Sequence, residues 1–279
     1  MSPLPRRLLL ATDLSPRCDR ALDRVAQLCH QWQAELEVLS VLGTQRAPDQ
    51  VLDWLHDSED QGPQRWARRQ LEQELARLGQ TARLHLLADA NPVDAILAQA
   101  AGSELVVTGV ACDEPLGRFR LGSTVESLAH RLACGLLVVR QRPHGGYRKV
   151  WTACDLGPQS TALLSCAQTW FDAAEHTLFH AQRLPAGLQA LDGAPADAPT
   201  QAACQAIAAA AGHRDAGLKV LALQGRLVPT LTRQVRQHDV DLVVLGGPDG
   251  HFFFDALLGS SLGELLQWLP CDLLILPEA

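Results

Sequence analysis

The residues in this chain best suited to chemistry are an aspartate that closes an apolar run and a glycine-bounded loop that opens a helix. Arg7 to Thr12 is apolar through Leu8, Leu9 and Leu10 and ends at Asp13. Leu105 to Thr108 ends at Gly109, and thirteen residues later Gly122, Ser123 and Thr124 open an amphipathic segment. Free backbone N–H groups at a helix start, among small side chains, suit a phosphate or another anion. An aspartate at the end of an adjacent strand can accept hydrogen bonds from a base amine or a ribose hydroxyl. The same set recurs: Val150 to Cys154 ends at Asp155, and Gly246 is followed thirteen residues later by Gly259, Ser260 and Ser261. One such loop is a weak signal, whereas two at equal spacing are a strong one.

Elements of alternating type must position these residues. Strands are expected at 7–12, 36–42, 82–87, 105–108 and 136–140. Helices are expected from Pro16 to about Trp32, over one or two surface segments between Arg46 and Gly79, from Asn91-Pro92 to Gly102, and from Gly122 to Ala133. Gln141 to Gly146 has linker composition. The pattern then restarts, with strands at 150–154, 177–181, 218–223, 242–245 and 273–276. Its helices are expected at 159–171, 201–211, 228–237 and 259–268, and residues 184–200 read as a loop. Pro92 and Pro229, Gly109 and Gly246, Gly122 and Gly259, and Cys134 and Cys271 are each 137 residues apart, and Asp13 and Asp155 are 142 apart. This is a duplicated five-stranded unit, with domains over 1–142 and 147–279. Strands alternating with helices predict an α/β fold of two tandem, doubly wound parallel sheets. In such sheets ligands bind at the carboxyl ends of the strands, where strand order reverses. The apolar end segments Leu136 to Val139 and Leu273 to Leu276 are expected to pair or pack together, because an open edge invites aggregation.

With 279 residues, 47% hydrophobic and 20% charged, the chain fills real cores. A net charge of −7 without a basic stripe argues against nucleic acid as a partner. The apolar run near the start is too short for a signal-peptide core, and no run is long enough to span a membrane. The eight cysteines are scattered without a CxxC pair, and read as buried, reduced thiols of a cytoplasmic protein.

The whole arrangement resembles the universal stress protein family in its tandem bacterial form. The resemblance rests on Thr12-Asp13-Leu14-Ser15 after the first strand, the Gly109 to Gly122-Ser123 loop, and Cys134-Gly135-Leu136-Leu137-Val138-Val139. In the second half it rests on Ala153-Cys154-Asp155, His180, and Cys271-Asp272-Leu273-Leu274-Ile275. It implies an adenine-nucleotide-hydrolase-like fold with strand order 3-2-1-4-5 in each half, and an intramolecular pseudo-dimer formed through the last strands. It also implies an ATP or AMP crevice in the first half, formed by Asp13, Val41, Gly109, Cys112, Gly122, Ser123 and Thr124. The second crevice, formed by Asp155, Gly246, Asp249, Gly259 and Ser260, is expected to be degenerate. Relatives that bind ATP carry a middle loop glycine where this chain has Cys112 and Asp249. Cys112 costs some room, whereas Asp249 sets a carboxylate against phosphate oxygens, a repulsion on the order of a few kcal/mol at short range. Arg118 and Arg120 offset the acids of the first loop only.

Plainer readings stand beside these. Asp13 and Asp155 equally suit helix caps, and Gly-Ser pairs commonly start helices. Cys112 is the most exposed thiol candidate, but no resolving cysteine is near it. His176 and His180 face one side of a strand, and a metal site needs more ligands, so both read as structural. Phe252-Phe253-Phe254 is either a partner patch or a plug over an empty crevice, the second favoured. No nucleophile–base–acid set and no Walker loop is present. The resemblance implies a stress-response accessory, and without such a set it is expected to be non-catalytic. A nucleotide-free interaction scaffold and a slow ATP hydrolase are the alternatives. A homodimer or an unidentified protein partner is compatible with either binding reading.

Overall fold

The computed structural model describes residues 3–15, 18–42, 62–88, 90–109, 123–183, 193–212, 217–247 and 261–277, with only the backbone of Pro63, Ser123 and Ser261. In the first half β1 (Arg7–Thr12), α1 (Asp19–Trp32), β2 (Glu35–Leu42), α2 (Gly62–Arg77), β3 (Ala82–Ala88), α3 (Pro92–Ala100), β4 (Leu105–Gly109), α4 (Ser123–Arg131) and β5 (Gly135–Val139) follow in order. In the second half β6 (Lys149–Ala153), α5 (Ser160–Trp170), β7 (Glu175–Gln182), α6 (Ala198–Ala210), β8 (Lys219–Gln224), α7 (Leu227–His238), β9 (Leu242–Gly246), α8 (Ser261–Trp268) and β10 (Asp272–Leu276) repeat the scheme.

All ten strands join one sheet, in the order β3-β2-β1-β4-β5-β10-β9-β6-β7-β8. Each half therefore carries the order 3-2-1-4-5. The expectation of two sheets differs in one detail: they fuse edge to edge. β5 and β10 pair antiparallel, with Leu136 opposite Ile275, Leu137 opposite Leu274 and Val138 opposite Leu273. The fusion satisfies the backbone of both edge strands, and every residue of β5 and β10 is buried. Within the halves the registers correspond. Leu8 lies opposite Leu105 and Val150 opposite Leu242, and both pairs relate through the sequence offsets of the duplication.

Helices cover both faces of the sheet, which is why its central strands are apolar throughout rather than alternating. Two cores result, and each runs across the seam. One packs Leu9, Val106, Val138, Val243 and Ile275 beneath α3, α4, α7 and α8. The other packs Leu10, Val107, Leu137, Val244 and Leu274 beneath α1, α2 and α5. α1 presents Ala21, Leu22, Val25, Leu28, Cys29 and Trp32 to this core. The Trp32 indole N–H donates to Trp170 O at 3.1 Å, tying α1 of the first half to α5 of the second.

Local sequence explains the remaining boundaries. Asn91 caps α3 by accepting from Val93 N and Asp94 N, with Pro92 in the first turn. α2 is less superficial than its composition suggests, because Ala67, Leu71 and Leu75 are buried at helical spacing. The expected loop over 184–200 is shorter. Gly193 N and Ala196 N donate to Gln224 O and Ala222 O along the β8 edge, and Asp197 caps α6 through Thr200 N. That helix starts at Ala198 rather than near Gln201 because Asp197 and Pro199 together favour a helix start there.

Candidate functional site

β1 and β4 are neighbours, with Ala11 opposite Thr108. Asp13 and Gly109 therefore edge one crevice at the carboxyl end of the sheet, where strand order reverses. Val41 lies near the end of β2, opposite Leu87 of β3. Ser123 opens α4 and Thr124 is half-buried beside it. The topology thus brings Asp13, Val41, Gly109, Ser123 and Thr124 to the carboxyl edge of β2, β1 and β4. Cys112 and Gly122, with Arg118 and Arg120, lie outside the described residues.

The turn after β1 is built by its own side chains. Leu14 N donates to Thr12 Oγ1 at 3.0 Å, and Ser15 N donates to Asp13 Oδ1 at 2.9 Å. Leu14 takes a left-handed conformation with φ 61°, which costs a branched residue about 1–2 kcal/mol. Its side chain packs against the core on the α1 face, which offsets that cost. Burial pushes the Asp13 carboxyl up. Hydrogen bonds from the Cys18 thiol and from the Ser15 hydroxyl and N–H outweigh this and hold it below the usual carboxylate range. Reciprocally, burial and the Asp13 charge push the Cys18 thiol up to about 11. Asp13 is thus an ionised acceptor at the crevice and the brace of its turn at once.

The second half repeats the device. Gly157 N and the Ser160 hydroxyl donate to Asp155 Oδ1 at 2.7 and 3.1 Å, and Leu156 is left-handed with φ 67°. A side chain at Gly157 would collide with the Asp155 carboxylate, since a Cβ there would lie 2.8 Å from Oδ1. Sequence reasoning weighed the aspartates but missed the turn. The signal was present in Asp-Leu-Ser and Asp-Leu-Gly, where an aspartate binds the backbone N–H two residues on. Gly246 ends β9, while Asp249, Gly259, Ser260 and Phe252-Phe253-Phe254 lie outside the described residues.

Position 180 distinguishes the two halves. His180 occupies the β7 position that Ser40 holds in β2, and donates from Nδ1 to Cys154 O at 2.9 Å. His176 donates from Nε2 to Phe171 O at 2.9 Å, and burial lowers its pKa. The two histidines bind different carbonyls, and no metal-holding group of His, Cys, Asp or Glu occurs among the described residues. Cys154 and Cys204 hydrogen-bond to one another within the small core beneath α6. The other described cysteines are buried or half-buried. No described helix is long and apolar enough to cross a membrane.

Comparison with known proteins bears on the fold and the family. Among curated proteins none matches the chain. A putative universal stress protein from Pseudomonas aeruginosa UCBPP-PA14 matches in structure with a TM-score of 0.70 and 20% identity, over 98% of this chain and 93% of that one. A universal stress protein from Archaeoglobus fulgidus DSM 4304 matches with a TM-score of 0.67 and 16% identity, over 98% of both chains. At these identities the likeness is one of fold. The family model described as the universal stress protein family matches twice, over residues 5–140 and 146–277. These two matches take in nearly the whole chain, which therefore belongs to the universal stress protein family as a tandem member with two such units.

Proposed function

We propose that this chain works by binding rather than by turnover, as a stress-response accessory. In this reading its first half takes ATP or AMP weakly, between the ends of β1 and β4. The observation that carries the proposal is that the paired strands β1 and β4 end together, with Asp13 just past β1 and Gly109 closing β4, ahead of the N-terminus of α4. An ionised Asp13 can accept from a base amine or a ribose hydroxyl, and the helix start can face phosphate. Asp13, Val41, Gly109, Cys112, Gly122, Ser123 and Thr124 would form this site. Asp155, Gly246, Asp249, Gly259 and Ser260 would be its lapsed counterpart, with the His180 imidazole where the first half has the smaller Ser40. The protein would act in the cytoplasm, with units over 1–142 and 147–279. Any homodimer or protein partner would use surfaces other than the β5–β10 seam.

One observation favours a nucleotide-free scaffold. Asp13 Oδ1 and Asp155 Oδ1 already accept hydrogen bonds from their own turns. Mass spectrometry of small molecules extracted from the purified protein separates the two readings. An adenine nucleotide recovered near one equivalent supports the first, and its absence after purification with ATP and magnesium present supports the scaffold. A hydrolase would require phosphate release above background that Asp13→Ala abolishes.

A further inference from the structure

The β5–β10 seam has a local twofold relation in its register that is broken at its ends, where Gly135 corresponds to Asp272 and Arg140 to Pro277. Leu137 lies opposite Leu274, its own counterpart at the offset of 137. The pairs on either side, Leu136 with Ile275 and Val138 with Leu273, exchange under the same relation. The residue just past β5 is Arg140, and its counterpart just past β10 is Pro277. The Arg140 guanidinium crosses to the last turn of α8 and donates to Leu266 O and Gln267 O. Beside it, Gln141 Nε2 donates to Pro270 O at 2.8 Å. These carbonyls belong to the end of a helix, where orphan acceptors and the negative end of the dipole favour a cation.

The counterparts of Leu266, Gln267 and Pro270 are Ala129, His130 and Ala133, at the end of α4. Among the described residues no backbone N–H outside the helix donates to these carbonyls. A cavity of about 330 Å³ stands there instead, lined by Ala129 to Cys134, Leu136, Gly247, Ile275 and Pro277. That volume is at the small end of the range for ligand pockets, roughly 300–1,000 Å³. Leu136 and Ile275 give it an apolar floor, and the helix end gives it acceptors. The one guanidinium in its wall, that of Arg131, pairs with Asp94 Oδ1 at 3.1 Å.

We propose that this cavity is a binding site for a small guanidinium compound, which takes at the end of α4 the place that Arg140 takes at the end of α8. A flat guanidinium offers several donors to the carbonyls of one helical turn, and its aliphatic stem covers the apolar floor. The site differs from the Asp13 crevice in residues and in ligand chemistry, so it stands or falls separately from the nucleotide reading.

Titration of the full chain with agmatine and with L-arginine, against citrulline as the neutral analogue, tests this. The expected result is one site for the guanidinium compounds and at least tenfold weaker binding of citrulline. Pro277→Arg should fill the cavity from within, abolish binding and raise the melting temperature. Arg140→Ala should vacate the opposite site, so that the variant binds two equivalents and regains melting temperature when agmatine is added. Absence of binding, equal binding of citrulline, or unchanged agmatine affinity in Pro277→Arg overturns the proposal.

Discussion

Replacing Asp272 by alanine should destabilise the whole molecule more than an ordinary surface change. Asp272 is completely buried at the start of β10. Its Oδ1 accepts from Arg140 N at 2.8 Å and Gln141 N at 3.0 Å, and its Oδ2 accepts from the Tyr147 hydroxyl at 2.7 Å. Arg24, 5% exposed, brings its Nε to 3.6 Å from Oδ2 and lays its guanidinium over the Tyr147 ring at 3.9 Å. Arg24 otherwise donates to Gln27 Oε1 and Gly145 O, which carry no charge. Asp272→Ala therefore strands a buried cation and frees the segment joining β5 to β6. Breaking a buried pair from one side costs about 3–5 kcal/mol. At about 2 °C per kcal/mol for a chain of this size, the melting temperature should fall by about 6–10 °C. Circular dichroism melts and urea titrations of Asp272→Ala, Arg24→Leu and the double variant provide the assay. Because the double variant buries no uncompensated charge, its loss should be smaller than the sum of the two single losses. Additive losses, or a cost below about 1 kcal/mol for Asp272→Ala, would refute the reasoning.

Other outcomes follow from the same geometry. Leu137→Asp or Leu274→Asp should lower stability by more than about 3 kcal/mol, because each places an unpaired charge in the seam between two cores, and urea titration reads the loss. Each half expressed alone should be less stable than the whole chain, since it exposes an apolar edge. The lowered pKa of Asp13 means that its ionised form stabilises the fold above the ordinary carboxylate range near pH 4. The stability advantage of the native chain over Asp13→Asn should thus be present at pH 6 and be lost as the pH falls through the lowered pKa of Asp13, measured by urea titration at each pH. Burial pushes the thiols of Cys18 and Cys134 up to about 11 and that of Cys29 up to about 12. Brief iodoacetamide treatment of the native protein at pH 7.5 should leave these three unlabelled until the fold is opened by urea, as peptide mass spectrometry can determine.

Most of the fold was legible because duplication repeats every signal. Apolar runs ending at Asp13 and Asp155, or at Gly109 and Gly246, located the strands of both halves, and Asn91-Pro92 marked a helix start. The edges of elements were less legible where side chains decide them at long range. The pairing of 193–196 with β8 depends on Gln224 and Ala222, distant in sequence from a stretch that composition marks as loop. The buried stripe of α2 was hidden by the charged residues around Ala67, Leu71 and Leu75. At the candidate site the aspartates were visible as residue types. That Asp13 and Asp155 each brace a left-handed leucine depends on backbone conformation, which composition does not report. The contrast of Arg140 with Pro277 also lay in the sequence. It acquired meaning only once the strand register placed the two at opposite ends of one seam.

The central claim is that adenine-nucleotide binding belongs to the first crevice alone. Isothermal titration with ATP and magnesium, on the native chain and on Asp13→Ala and Asp155→Ala, tests it most directly. The account predicts a weak single-site signal that Asp13→Ala removes and Asp155→Ala leaves intact. A signal lost in Asp155→Ala and kept in Asp13→Ala, or none in the native chain, would contradict it.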